Sequence, residues 1–150
     1  MRTFPTLKDY AAEQGNEIGV SDWMVVDQDR INMFAEATGD HQWIHVDPER
    51  TERELNMSTI AHGYLTMSLL VKFVQEVFEV QSVTRAINYG VNKVRFMNMV
   101  PVNSRIRGRI KLNRASLGSD SVRAISEVTI EIEGQERPAM VAETITLMYE

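Results

Sequence analysis

Residues 61–80 read AHGYLTMSLLVKFVQEVFEV, and this stretch decides the kind of fold. Tyr64, Leu65, Met67, Leu69, Leu70, Val71, Phe73 and Val74 cover almost the whole circumference of a 3.6-residue helix. The spacing therefore predicts one helix over 61–80 that the rest of the chain must surround. From Ser68 onward only Ser68, Lys72, Gln75, Glu76 and Glu79 are polar, on one stripe that reaches solvent toward the C-terminal end.

The wrapper comes from the second half, where the period changes from 3.6 to 2. Across Ser104 to Asn113, Ile106, Gly108, Ile110 and Leu112 alternate with Arg105, Arg107, Arg109 and Lys111. Val122, Ala124, Val128, Ile130 and Ile132 repeat the pattern, and Ala139, Val141, Ile145, Leu147 and Tyr149 form a third alternating set. These read as antiparallel strands joined by turns at 116–120 and 133–135. Ile87, Tyr89 and Val91 share odd parity whereas Val94 and Phe96 share even parity, which predicts a bulge near Asn92. Upstream, 6–14 reads as a short amphipathic helix ended by Gly15 and lying as a surface flap. Asp22 to Val26 is a short apolar segment. Asp27 is placed to cap a helix carrying Ile31, Phe34 and Ala35 that stops near Gly39. Residues 40–59 read as loop and short solvated helix. The fold class is α+β, a single domain over 1–150.

Composition removes several functions. With 16 basic against 21 acidic residues the net charge is −5, the wrong sign for wrapping a phosphate backbone, so nucleic acid is not expected as a partner. No long apolar run predicts a membrane span. The absence of cysteine excludes a disulfide framework, a thiolate zinc site and a cysteine nucleophile. The opening MRTFPTLKDYAAEQG follows neither a secretory nor a transit plan, so a cytoplasmic location is expected.

All three histidines, His41, His45 and His62, fall within 22 residues, together with Asp40, Asp47, Gly39 and Gly63. If 40–44 curls, Asp40 and His45 converge, and a carboxylate beside an imidazole can hold one water and move its protons. The same residues also fit a capped turn and a satisfied, half-buried histidine. Gly63 opens the central helix with an unobstructed N–H at the positive end of the helix dipole, which suits a thioester carbonyl becoming an enolate. Close packing of the helix start would equally explain a glycine there. His62 is read as structural.

The run Phe34-Ala35-Glu36-Ala37-Thr38-Gly39-Asp40, then His45, Asp47 and Pro48, then Ile60-Ala61-His62-Gly63-Tyr64-Leu65, resembles the hydratase motif of the MaoC-like dehydratases, the (R)-specific enoyl-CoA hydratases. Asn92-Lys93-Val94-Arg95-Phe96 with Pro101-Val102 is similar to the strand that follows that family's central helix. The resemblance spans residues 31 to 102. It implies a hot dog fold, a long helix wrapped by an antiparallel sheet, paired as a homodimer through edge strands. It also implies that Asp40 and His45 are a catalytic dyad holding the water that adds to the β-carbon of a trans-2-enoyl thioester. Gly63 becomes the oxyanion donor. The substrate would be an acyl-CoA or acyl-carrier thioester, with no cofactor beyond the coenzyme A it carries.

Where many members have Asn-Pro, this chain has Gln42-Trp43. Gln42 is expected to take over an Asn hydrogen bond, Trp43 to narrow the acyl pocket, and Tyr64 to help line it. Ser68 is the hydroxyl available to support the acid. Lys93 and Arg95 are candidates for the substrate phosphates. The Arg105, Arg107, Arg109, Lys111 stripe instead reads as surface electrostatics, with a hairpin near Leu117-Gly118 setting Arg105 opposite Glu131 and Arg109 opposite Glu127. His41 and His45 stand at i, i+4 with Asp40 and Asp47 nearby, a zinc pattern if helical, but Asp47-Pro48 argues against a sustained helix and no metal is expected. A hot dog thioesterase and a non-catalytic acyl-thioester binding protein are the alternatives.

Overall fold

The computed structural model describes residues 1–150. Eight strands and six helices follow in the order β1 (Arg2–Phe4), α1 (Leu7–Ala11), β2 (Glu17–Val20), β3 (Met24–Val26), α2 (Gln28–Thr38), α3 (Trp43–Val46), α4 (Pro48–Leu55), α5 (Gly63–Ser68), α6 (Leu70–Val77), β4 (Phe78–Val80), β5 (Arg85–Phe96), β6 (Ser104–Leu117), β7 (Ser121–Ile132) and β8 (Met140–Tyr149). Six strands form one antiparallel sheet in the order β2-β6-β7-β8-β5, with β3 also on β6, while β1 pairs in parallel with β4. No helix is long and apolar enough to cross a membrane.

The alternation in β6 and β7 builds the floor of the core: Ile106, Ile110, Leu112, Val122, Val128 and Ile130 are fully buried. Phe73 of α6 lies on this floor, also fully buried, over Gly108. A Cβ at Gly108 would stand 2.6 Å from Phe73 Cβ, so the missing side chain lets the helix sit down on the sheet. The 3.6-period stretch is therefore central, as its sequence requires.

It is not one helix, however. α5 and α6 are separated at Leu69, and the last three residues of the expected helix, Phe78–Val80, leave it as β4 to pair with Arg2–Phe4. Nor is it enclosed all round, since Tyr64 is 70% exposed and Val71 38%. α1 is no surface flap: Leu7 and Tyr10 are buried, and Tyr10 stacks on Phe78 with ring centroids 4.8 Å apart. That burial pushes the Tyr10 hydroxyl up to about 12. The helix is also shorter than 6–14, because the Thr6–Asp9 capping box closes only one and a half turns before the chain enters a turn to Gly15 at φ 91°.

The predicted bulge in β5 is present between Val91 and Lys93, with a second irregularity between Asn88 and Gly90. In β8 the buried face carries Met140, Ala142, Thr144 and Met148, while Val141, Leu147 and Tyr149 are half-buried on the other side. Ile87 of β5 pairs with Leu147, so this second face continues the apolar surface of β5. The β6–β7 hairpin is displaced by two residues from the expected register: Arg107 faces Glu131 and Lys111 faces Glu127. The turn is centred later, with Gly118 N–H donating to Ser121 C=O, and a bulge between Leu112 and Arg114 takes up one residue. The three arginines of the stripe are nonetheless paired. Arg105 pairs with Glu133, Arg107 with Glu131, and Arg109 with both Glu131 and Glu17.

Candidate active site

The site is assembled where α2 ends and α5 begins. Asp27 caps α2 by accepting from the Arg30 N–H at 2.9 Å, and Gly39 ends it in the left-handed conformation at φ 77°. The chain then curls. The Gln42 N–H donates to Asp40 Oδ1 at 3.3 Å and the His45 N–H to the Gln42 carbonyl at 2.9 Å, which starts α3 and turns His45 inward. Asp47 breaks the helix and caps α4 through the Arg50 N–H at 3.0 Å.

His45 is buried, and its Nδ1 lies 2.7 Å from the Ile60 carbonyl. A carbonyl can only accept, so Nδ1 carries the hydrogen and Nε2 presents a lone pair. Burial, the largest influence, holds the His45 pKa below its ordinary value; His62 adds to this, while the Ile60 bond and the Asp40 charge oppose it. The imidazole is thus kept neutral and basic at Nε2. Gln28 locks this arrangement from α2: its Nε2 donates to the His45 carbonyl at 2.7 Å and its Oε1 accepts from Thr59 Oγ1 at 2.5 Å.

Asp40, His45 and His62 each bring a polar side-chain atom within 4.8 Å of the others. The His45 and His62 rings are stacked, centroids 3.9 Å apart and planes 27° from parallel. His45 Nδ1 and His62 Nε2 are engaged by the Ile60 and Asp40 carbonyls, which leaves one ring nitrogen on each histidine without a partner in the chain. His41 and His45, which would make a zinc pattern on a helix, do not converge: His41 is exposed and turned to Glu36, and Asp47 caps α4.

His45 and Gly63 open onto one groove of about 450 Å3, lined also by Thr66, Phe96, Asn98 and Arg137. Gly63 is the first residue of α5, ahead of the first bond of that helix, so its N–H is not committed to the helical ladder. Of the sequence-derived residues, the structure brings Asp40 close to His45, and His45 and Gly63 onto one groove. Asp40, Gln42, Trp43, Tyr64, Lys93 and Arg95 do not line the groove. Gln42 is exposed, Trp43 lies under the Arg50 guanidinium at 4.4 Å, and Lys93 and Arg95 are exposed on β5. Tyr64 stands edge-on to Phe96, and Ser68 Oγ donates to the Tyr64 carbonyl rather than to Asp40.

A family model described as the MaoC like domain matches residues 9–135. The chain belongs to the MaoC-like dehydratase family. It is 49% identical over 146 residues to a 3-hydroxyacyl-thioester dehydratase Z of Mycobacterium tuberculosis, with 97% of each chain covered. The structure superposes on a MaoC-like dehydratase from Rhodospirillum rubrum with a TM-score of 0.78 at 15% identity, covering 97% of both chains. It also superposes on the (R)-hydratase from A. caviae with a TM-score of 0.69 at 20% identity, covering 89% of this chain and 97% of that one. The hot dog fold is thereby established, and the MaoC-like chain is a lyase of the dehydratase class.

Sequence reasoning missed Gln28, Thr59 and Arg137 in this MaoC-like site. Gln28 follows an N-cap and reads as a solvated first-turn residue, and Arg137 sits in a polar loop where one charge looks like any other. His62 had a signal, its place beside Gly63.

Proposed function

We propose that this MaoC-like protein hydrates trans-2-enoyl thioesters to (R)-3-hydroxyacyl thioesters and runs the reverse dehydration. The observation that supports the reading is a neutral imidazole with a free Nε2 lone pair that shares a groove with an uncommitted main-chain N–H and has a carboxylate, Asp40, close beside it. Water held between Asp40 and His45 is aimed at the β-carbon. As its oxygen bonds to that carbon, His45 Nε2 takes its proton, and the electron pair of the double bond moves onto the thioester oxygen held by Gly63 N–H. The imidazolium then returns the proton to the α-carbon, so one water is added across the bond. Asp40 orients the water through its second hydrogen and stabilises the transient imidazolium. In dehydration the same base removes the α-proton and returns it to the departing hydroxyl.

The substrate is carried on a phosphopantetheine arm, as coenzyme A or an acyl carrier. Arg137 is the one Lys or Arg lining the groove, and its guanidinium makes no ion pair within the chain. It therefore suits the arm's phosphate better than Lys93 or Arg95. The working unit is a homodimer. β5 is a twelve-residue edge strand exposed along nearly its whole length, with one row of amides unpartnered; it exposes Ile87, Tyr89 and Val91, which a second copy of β5 would cover.

Purified protein mixed with crotonyl-CoA should bleach the enoyl absorbance, and Asp40→Asn and His45→Ala should each remove most of the rate. Release of free thiol in place of that loss would make the protein a thioesterase. Tight binding without either would make it a carrier.

A further inference from the structure

His62 occupies the N-cap position of α5 yet makes no capping bond with its side chain. The ring turns instead into the junction between α2, α3 and the 39–42 loop, where it is 2% exposed. It packs beside Phe34 at 5.1 Å and against the face of His45 at 3.9 Å, and its Nε2 lies 3.0 Å from the Asp40 carbonyl. Gly63 is its neighbour in the chain. One imidazole thus touches every working part: the Asp40 peptide, the His45 ring and the peptide that supplies the N–H.

Asp40 needs such an anchor. It is exposed, and its other bonds are long and local, from its N–H to Thr38 Oγ1 at 3.4 Å and from the Gln42 N–H to its Oδ1 at 3.3 Å. The bond from His62 is the one that reaches from Asp40 to another element. We propose that His62 is a positioning residue that fixes the Asp40 peptide and the His45 ring relative to the Gly63 N–H, so that carboxylate, imidazole and main-chain donor keep one geometry through turnover. The inference rests on the hydratase reading above.

The tautomer follows from the same contacts. Because the Asp40 carbonyl accepts, His62 Nε2 carries a hydrogen, and Nδ1 is buried with no partner. The titratable groups facing it are Asp40 and His45; Phe34 offers only a ring, and Thr66 donates its hydroxyl to the His62 carbonyl. The charges acting on His45 come from the same two neighbours, with His62 disfavouring and Asp40 favouring its protonated form. Two stacked imidazoles cannot both carry charge cheaply, so His62 also keeps His45 available as a base.

The test compares His62→Phe, which keeps a stacked ring without the donor, with His62→Gln, whose amide N–H replaces Nε2–H. A misplaced dyad should lower kcat of the Phe variant toward crotonyl-CoA by about 100-fold with KM unchanged. Gln should restore most of kcat. Both should move the acid limb of kcat/KM to higher pH, since neither side chain opposes a proton on His45. The imidazole titration of His45, followed by NMR in the full-length variants, should shift upward in parallel and reads the proposal without any turnover. A Phe variant with parental kcat, or a His45 titration unmoved in both variants, overturns it. Loss of thermal stability in both with no Gln rescue reduces His62 to a packing residue. A parent that never hydrates crotonyl-CoA, with His45 still shifting, overturns the hydratase reading and leaves the positioning contact standing.

Discussion

Replacing Gly63 with proline deletes one hydrogen-bond donor and little else. Gly63 is the first residue of α5, where proline is well tolerated because that N–H has no helical acceptor. The residue before a proline must be extended, and His62 already has φ −58° and ψ 140°. The remaining obstacle is steric. A Cβ at Gly63 meets Phe96 Cδ1 and Cε1 at 3.3 Å, and the half-exposed Phe96 ring can withdraw by a few tenths of an ångström.

Gly63→Ala carries the same Cβ and keeps the N–H, so it isolates the steric effect and should stay close to the parent. Gly63→Pro removes the N–H proposed to face the enolate oxygen, for which the expected loss is about 100- to 1,000-fold in kcat, or roughly 3 to 4 kcal/mol of barrier. Because the charge on that oxygen appears only in the transition state, KM should change little. Crotonyl-CoA hydration under saturating substrate gives kcat for the three proteins, and a thermal melt confirms that the proline variant is folded. A folded proline variant turning over at the alanine variant's rate would refute the assignment of Gly63 as the oxyanion donor.

Four further outcomes follow from the same coordinates. Burial and His62 hold His45 neutral below the pH at which a free imidazole protonates, so kcat/KM should stay level through that range and fall only in more acid buffer; the residual activity of Asp40→Asn, lacking the charge that favours imidazolium, should fall at lower pH still. Arg137→Ala should raise KM for crotonyl-CoA but leave the N-acetylcysteamine thioester, which has no phosphate, unaffected. Gly108→Ala forces Phe73 away from the sheet and should cost about 1–3 kcal/mol, read as a lower denaturant midpoint at constant m. Tyr89→Glu places a charge on the exposed face of β5 and should convert a dimer to a monomer in light scattering.

The parts of this molecule written in local chemistry were readable in advance. Asp27 and Gly39 bracket α2 because one offers a side-chain acceptor and the other tolerates positive φ, and both requirements belong to single residues. Alternation in β6 and β7 survives because one side is dry and the other wet. What failed depended on distant partners. Leu69 continues a helical period on both sides, so nothing local marks the break, and Phe78–Val80 become a strand only because Arg2–Phe4 is there to receive them. In β8 both faces are apolar, one toward the core and one continuing β5, so periodicity could not choose between them. Asp40, His45 and Gly63 were visible as an ordered set. Gln28, Thr59 and Arg137 join them only through contacts that span 17 or more residues, or through a shared groove.

The order of the sheet sets a schedule for the growing polypeptide. β5 has a single neighbour, β8, and Met97 and Asn98 just beyond it are tied to the Ala139 carbonyl. The histidines and Gly63 leave the ribosome early, but the wall that Phe96, Asn98 and Arg137 build opposite them has nothing to lean on until β8 has been translated. A nascent chain halted before Met140 would hold every reactive group and no chamber to use them in.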